Sequence, residues 1–260
     1  MYDFEFVGPK TIAEAVDALR AEGSQPLSGG QTLIPTMKQR LAAPTRLVSL
    51  AEIDEMKGVQ RKNNCIRIRG ATTHAEVSRN VKDFPALAKL AGGIGDPAVR
   101  NRGTIGGSLA NNDPSACYPS AVLASAATII TNSHEIAADD FFQGVFTTAL
   151  AEGEIITAVE FPVPRRAAYL KFEQPASRFA LVGVFVAQFE SGVRVAVTGA
   201  GEDGVFRWRE AEALLSGSFS PDAIAGLSPP ADQMMGDLFG TPEYRAHLVG
   251  VLTKRAVAAA

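Results

Sequence analysis

The chain has 260 residues, 46% hydrophobic and 20% charged, enough to bury one large core or two to three small ones. Its 25 Lys and Arg against 28 Asp and Glu give a net charge of −3 with neither sign gathered into a block, which argues against a nucleic-acid or polybasic membrane surface. Cys65 and Cys117 lie far apart with no metal-ligand spacing, and His74, His134 and His247 form no nucleophilic constellation, which predicts reduced thiols and no metal site in this chain.

Met1-Tyr2-Asp3-Phe4-Glu5-Phe6 carries acids where a signal peptide carries a basic region, so the chain is expected in the cytoplasm. Residues 4–9 read as a short strand. Thr11-Ile12-Ala13-Glu14 opens a helix to about residue 21 as a capping box, with Ile12, Ala15, Val16 and Leu19 on one face. Next comes Gln25-Pro26-Leu27-Ser28-Gly29-Gly30-Gln31-Thr32-Leu33-Ile34-Pro35, a glycine turn with hydroxyls on both sides. A helix over residues 35–40 would aim its N-terminal N–H groups at whatever that turn binds. A strand at 46–50 closes this first α+β unit.

From Gly58 the pattern changes. Ile66-Arg67-Ile68-Arg69 alternates as a strand, and helices are predicted over 75–82 and 85–91. A buried helix or strand turn at 121–127, a strand at 128–130, a short helix at 138–142 and a strand at 154–161 complete the middle. The longest apolar stretch, 121–130, is too short to span a bilayer. Pro162-Val163-Pro164 breaks both periodicities and marks a linker. Beyond it, 181–189 and 193–199 read as strands able to pair, 208–215 and 244–257 as helices, and 217–240 as irregular. Trp208 reads as core or interface packing.

The stretch richest in chemistry is Arg100-Asn101-Arg102-Gly103-Thr104-Ile105-Gly106-Gly107-Ser108-Leu109-Ala110-Asn111-Asn112-Asp113-Pro114. Its clustered glycines let the backbone take positive φ and let a ligand reach main-chain N–H groups. Thr104 and Ser108 add neutral donors, and Asn111, Asn112 and Asp113 supply the amides and carboxylate that a ribose or adenine needs. Taken alone, the stretch also fits a plain turn with no ligand. Neither glycine segment has the GxGxxG or GxxxxGK[ST] form, which argues against Rossmann and P-loop binding. A nanomolar dinucleotide needs about −12 kcal/mol, while a hydrogen bond to a charged oxygen nets roughly 1.5–3 kcal/mol. Two loops acting together are therefore expected.

Ser28-Gly29-Gly30-Gln31-Thr32-Leu33-Ile34-Pro35, with the run from Gly95-Asp96-Pro97 through Asp113-Pro114, closely resembles the two FAD motifs of the medium subunit of molybdenum hydroxylases. That family includes the flavoprotein of aerobic carbon monoxide dehydrogenase and the FAD domain of xanthine dehydrogenase. Ser177-Arg178-Phe179-Ala180-Leu181-Val182-Gly183 carries the resemblance into the last part of the chain. It implies an α+β protein: a two-subdomain FAD-binding fold of the vanillyl-alcohol oxidase-like (PCMH) type, residues 1–57 and 58–163, and a small C-terminal α+β domain, residues 164–260.

The resemblance further implies that Leu27, Ser28, Gly29, Gly30, Gln31, Thr32, Leu33 and Ile34, with Thr104, Ile105, Gly106, Gly107 and Ser108, hold the FAD pyrophosphate through main-chain N–H groups. Ile94 and Ile156 would line the site, Asp113 would contact a sugar or a phosphate-bound water, and Lys171 would be a basic group near the flavin. Tyr169 is a candidate to lie over the isoalloxazine. Where the family has an acidic FAD contact a few residues after the Asp-Pro pair, this chain has Cys117, a poor replacement acceptor. The implied work is electron transfer with no catalytic side chain. A large subunit would carry the molybdenum cofactor, a small one two [2Fe–2S] clusters, and the FAD would pass electrons to NAD⁺, a quinone or another acceptor. A dimer of such heterotrimers is expected. An FAD-free assembly subunit and a stand-alone FAD reductase of the same fold are the alternatives.

Overall fold

Thr11 caps α1 (Ile12–Leu19) by accepting from the Glu14 N–H at 3.2 Å, and Ala15 and Leu19 bury one helix face. In the computed structural model, which describes residues 1–260, that face covers a small parallel sheet. Its strands are β1 (Glu5–Val7), β2 (Ser24–Leu27) and β3 (Arg46–Ser49), ordered β1-β3-β2. Between β2 and β3 lies α2 (Leu33–Lys38), which starts two residues before the expected position. Pro35 sits in its first turn, where a missing N–H loses no helical bond.

The middle of the chain forms an antiparallel sheet ordered β4-β5-β10-β6-β7. In chain order it runs β4 (Val59–Lys62), β5 (Cys65–Arg69), α3 (His74–Asn80), α4 (Pro85–Gly92), α5 (Pro97–Arg100), α6 (Ile105–Asn111) and α7 (Tyr118–Ala124). There follow β6 (Thr128–Thr131), β7 (Glu135–Ala137), α8 (Ala138–Phe141), a hairpin of β8 (Phe142–Gly144) and β9 (Thr147–Thr148), and β10 (Ile156–Pro162). The strand expected from residue 154 begins at Ile156. The Glu154 carboxylate takes the Thr131 hydroxyl at 2.5 Å and the Ala151 N–H at 2.9 Å, which fixes a turn there. The segment expected at 121–127 is a helix from Tyr118, stopped where Ala126 takes a φ of 49°.

The last third is an antiparallel meander of β11 (Arg166–Glu173), β12 (Ala180–Phe189), β13 (Gly192–Gly201) and β14 (Gly204–Arg207), with α9 (Arg209–Gly217) and α10 (Pro242–Ala259). Its central strand reads ALVGVFVAQF because both of its faces are covered. Val182, Val184 and Val186 share a core with Trp208 and the buried side chains of α9 and α10. Phe185 and Ala187, with Tyr169, belong to the core of the middle sheet, where Phe84 meets Phe185 edge-on at 5.9 Å. Two single turns, Pro221–Ile224 and Ala231–Gln233, interrupt the irregular 217–240 stretch. No helix is long and apolar enough to cross a membrane.

Candidate cofactor site

A cavity of about 560 Å³ opens where the loop after β2, the start of α6, the bend before β10 and the 177–179 loop meet. The loop after β2 turns on Gly30, whose φ is +69°. The N–H groups of Gly29, Gly30, Gln31 and Thr32 donate to no group of the protein, and the first returning bond is Ile34 N–H to Gly30 O at 3.1 Å. Four consecutive free donors on residues that line a cavity suit anionic oxygens.

The second glycine segment works differently from the expectation. Gly103, Gly106 and Gly107 all avoid positive φ, because Thr104 caps α6 and the glycines enter its first turn. Gly106 N–H goes to Gly70 O at 2.9 Å, Gly107 N–H to Thr104 Oγ1 at 3.2 Å and Ser108 N–H to Thr104 O at 3.0 Å. These glycines permit close approach instead of a turn. A Cβ on Gly106 would lie 2.7 Å from Gly70 O, and one on Gly103 would lie 2.6 Å from His74 Nε2. The two segments are joined by the Ser28 and Thr104 hydroxyls at 2.8 Å.

The cavity wall includes Leu27, Ser28, Gly29, Gly30, Gln31, Thr32, Leu33, Ile94, Thr104, Gly106, Gly107, Ser108, Asp113 and Ile156. Ile105 is fully buried in the middle core, and Ile34 is half-buried on α2; neither lines the cavity. Asp113 is held in a turn by the Ser115 N–H, which donates to its Oδ1 at 2.8 Å. Lys171 supports the wall from behind: its ammonium donates to Gly93 O and Arg178 O, both at 2.7 Å, and lies 4.0 Å from Cys117 Sγ. Cys117 itself faces the cavity as a neutral thiol, pushed up by burial against the pull of Lys171. Arg100 donates to Ile94 O and Gly95 O at 3.0 and 2.9 Å, fixing the turn that carries Ile94.

Tyr169 is placed differently from its expected position over the cofactor. It points from β11 into the middle core, 5% exposed and 6.1 Å from the Phe185 ring, and does not line the cavity.

Three further lining residues, Arg178, Phe179 and His74, carry no signal in the local sequence. Arg178 and Phe179 reach the cavity only because the β11–β12 loop folds over it. His74 lines it because an antiparallel bridge pairs Thr73 with Thr104, with His74 N–H donating to Gly103 O at 2.9 Å. Burial, followed by the nearby Arg100 charge, lowers the imidazole from 6.5 to about 4. Between those values the unfolded chain binds a proton that the folded chain refuses, so stability falls as pH drops through this window. Urea unfolding at pH 7 and pH 4.5 should show a loss of up to about 3 kcal/mol from this group. His74→Gln should remove that part of the slope; an unchanged slope would refute the assignment.

Residues 2–164 match the family described as the FAD binding domain in molybdopterin dehydrogenase. The chain belongs to that family. It is an FAD-binding oxidoreductase chain, and the likeness continues beyond residue 164. It is 32% identical to the carbon monoxide dehydrogenase medium chain of Afipia carboxidovorans, over 98% of this chain and 95% of that one. It is 33% identical to the nicotine 6-hydroxylase medium subunit of Paenarthrobacter nicotinovorans, over 97% of this chain and 95% of that one. A solved carbon monoxide dehydrogenase from Hydrogenophaga pseudoflava superposes with a TM-score of 0.88 at 32% identity, covering 100% of this chain and 97% of that chain. The α+β architecture expected from the family is thus the one observed.

Proposed function

We propose that this chain carries FAD in the cavity between its two glycine segments and serves as the electron-transferring medium subunit of a molybdenum hydroxylase complex. The observation that carries this reading is the row of free N–H donors on Gly29 to Thr32, residues that line the cavity. Such a row fits a diphosphate, and the Ser28–Thr104 hydroxyl pair beside it fits the adjoining sugar oxygens. The apolar side chains of Ile94, Ile155 and Ile156 fit a flat ring system. Asp113 and Ser108 add polar contacts. Ile34, Ile105 and Lys171 act from behind the wall, holding the groups that touch the cofactor.

FAD supplies the chemistry of this role, accepting electrons singly and releasing them singly or in pairs. The chain's own residues bind and position the cofactor. Relatives named as medium chains and medium subunits support an assembly with a molybdenum-cofactor subunit and a [2Fe–2S] subunit, here read as a dimer of heterotrimers in the cytoplasm. Within the chain we assign residues 1–57 and 58–163 to the two halves of the FAD fold and 164–260 to the covering domain. Their separate sheets support this division. The terminal acceptor is NAD⁺, a quinone or a similar carrier.

The test is to co-express this chain with its partner chains and purify the assembly through a tag on this chain alone. Molybdenum, iron and FAD should co-purify, and a reducing substrate of the assembly should bleach the flavin band. A tagged chain that retains FAD but captures neither metal would point to the stand-alone reductase reading instead.

A further inference from the structure

The start of α6 has a deficit of donors: the N–H groups of Gly106, Gly107 and Ser108 are all taken by the protein. A ligand oxygen on this side of the cavity must therefore be met by side chains. His74 stands there, 5% exposed and among the cavity-lining residues. Its ring leans on Tyr118 at 5.3 Å, and its Nε2 edge faces Gly103, so close that any Cβ at 103 would collide with it.

The two ring nitrogens differ. Nδ1 is sealed from solvent and has no hydrogen-bond partner. A sealed N–H without an acceptor is rarer in folded proteins than an under-used acceptor, so the proton belongs on Nε2. That leaves an N–H donor at the edge that meets the second glycine segment. Its protein surroundings offer it no hydrogen bond.

We propose that His74 is a binding residue of the cofactor site, donating from Nε2 to an oxygen of the diphosphate or sugar portion of FAD. The inference rests on the FAD reading above. It assigns to the second glycine segment a side-chain donor in place of the backbone donors the glycines suggested. It also gives Gly103 a reason: the histidine ring occupies the space a side chain there would need.

The experiment uses the full chain labelled with ¹⁵N-histidine, in which only His74, His134 and His247 contribute signals. Titration with FAD should move one Nε2 resonance, and that resonance should be missing from His74→Gln. FAD affinity should fall roughly tenfold or more in His74→Leu, the loss expected for one hydrogen bond to a charged or polar oxygen. His74→Gln keeps an N–H donor and should recover most of that loss. FAD bound by the wild type with no His74 signal moving, or equal affinity in His74→Leu, would overturn the proposal alone. A wild-type chain that takes up no FAD would overturn the proposal together with the reading beneath it.

Discussion

Gly29→Ala should fold and yet lose FAD. A Cβ on Gly29 would run into Arg102 O and lie 2.6 Å from Gly103 Cα, so the new methyl meets backbone on the opposing segment. Neither side can rotate away, and the two glycine segments must part. The cost to stability is that of a local overpacking, about 1–3 kcal/mol, because the three apolar cores lie elsewhere. The cost to binding is larger. Separation breaks the Ser28–Thr104 hydroxyl contact and turns the row of free N–H groups out of line. Losing one or two charge-assisted hydrogen bonds corresponds to roughly a hundredfold or more in affinity. Gly107→Ala is the matched control, since its Cβ would meet only Thr104 Oγ1 at 3.0 Å and Ser28 Cβ at 3.8 Å. It should weaken FAD less than about tenfold, as one hydrogen bond is distorted and none is lost. Flavin titration of the two purified variants checks both figures, and wild-type affinity in Gly29→Ala would contradict the geometry.

Arg245→Met should strongly destabilise the last third of the chain while leaving the FAD contacts in place. Arg245 is 2% exposed, and its guanidinium donates to Leu181 O at 2.7 Å, Gly199 O at 2.5 Å and Asp237 Oδ2 at 2.7 Å. It thereby joins β12, β13 and the turn before α10. Methionine fills much of the volume but leaves two buried carbonyls without this donor. The expected loss is about 3 kcal/mol, or a fall in Tm of roughly 6–12 °C. Asp237→Asn should cost less, about 1–2 kcal/mol, since Asn keeps an oxygen acceptor for the buried guanidinium while losing the charge. Urea unfolding of both variants separates the buried cation from the ion pair. Equal effects in the two would show that the ion pair, and not the buried carbonyls, holds the joint.

The parts of this molecule that the sequence made legible are those where one local rule decides. The caps at Thr11 and the pairing of 181–189 with 193–199 follow from spacing and alternation alone. The two glycine segments could be read as one site because the family resemblance bound them together. Their different chemistry was not legible. Gly30 takes the positive φ that glycine suggests, whereas Gly103, Gly106 and Gly107 are small because His74, Thr104 and the backbone of Gly70 press against them. No local pattern announces a neighbour that arrives from thirty residues away. The same holds for Tyr169. Alternation along β11 puts Tyr169 and Lys171 on one face, but only the packing of α4 and α7 shows that this face buries the ring in the core. The family resemblance puts Lys171 near the flavin, whereas its ammonium is committed to the carbonyls of Gly93 and Arg178.

By this reading the chain binds FAD on its own, through the cavity between the loop after β2 and the start of α6. The measurement that tests it most directly is the visible absorption spectrum of the chain purified alone, with the chromophore released by denaturation and identified. A yellow protein releasing about one FAD per chain is the predicted result. It would also show that a neutral thiol at Cys117 is compatible with the cofactor. Colourless protein that takes up no added FAD, with the fold intact by circular dichroism, would mean that the cavity does not hold the cofactor.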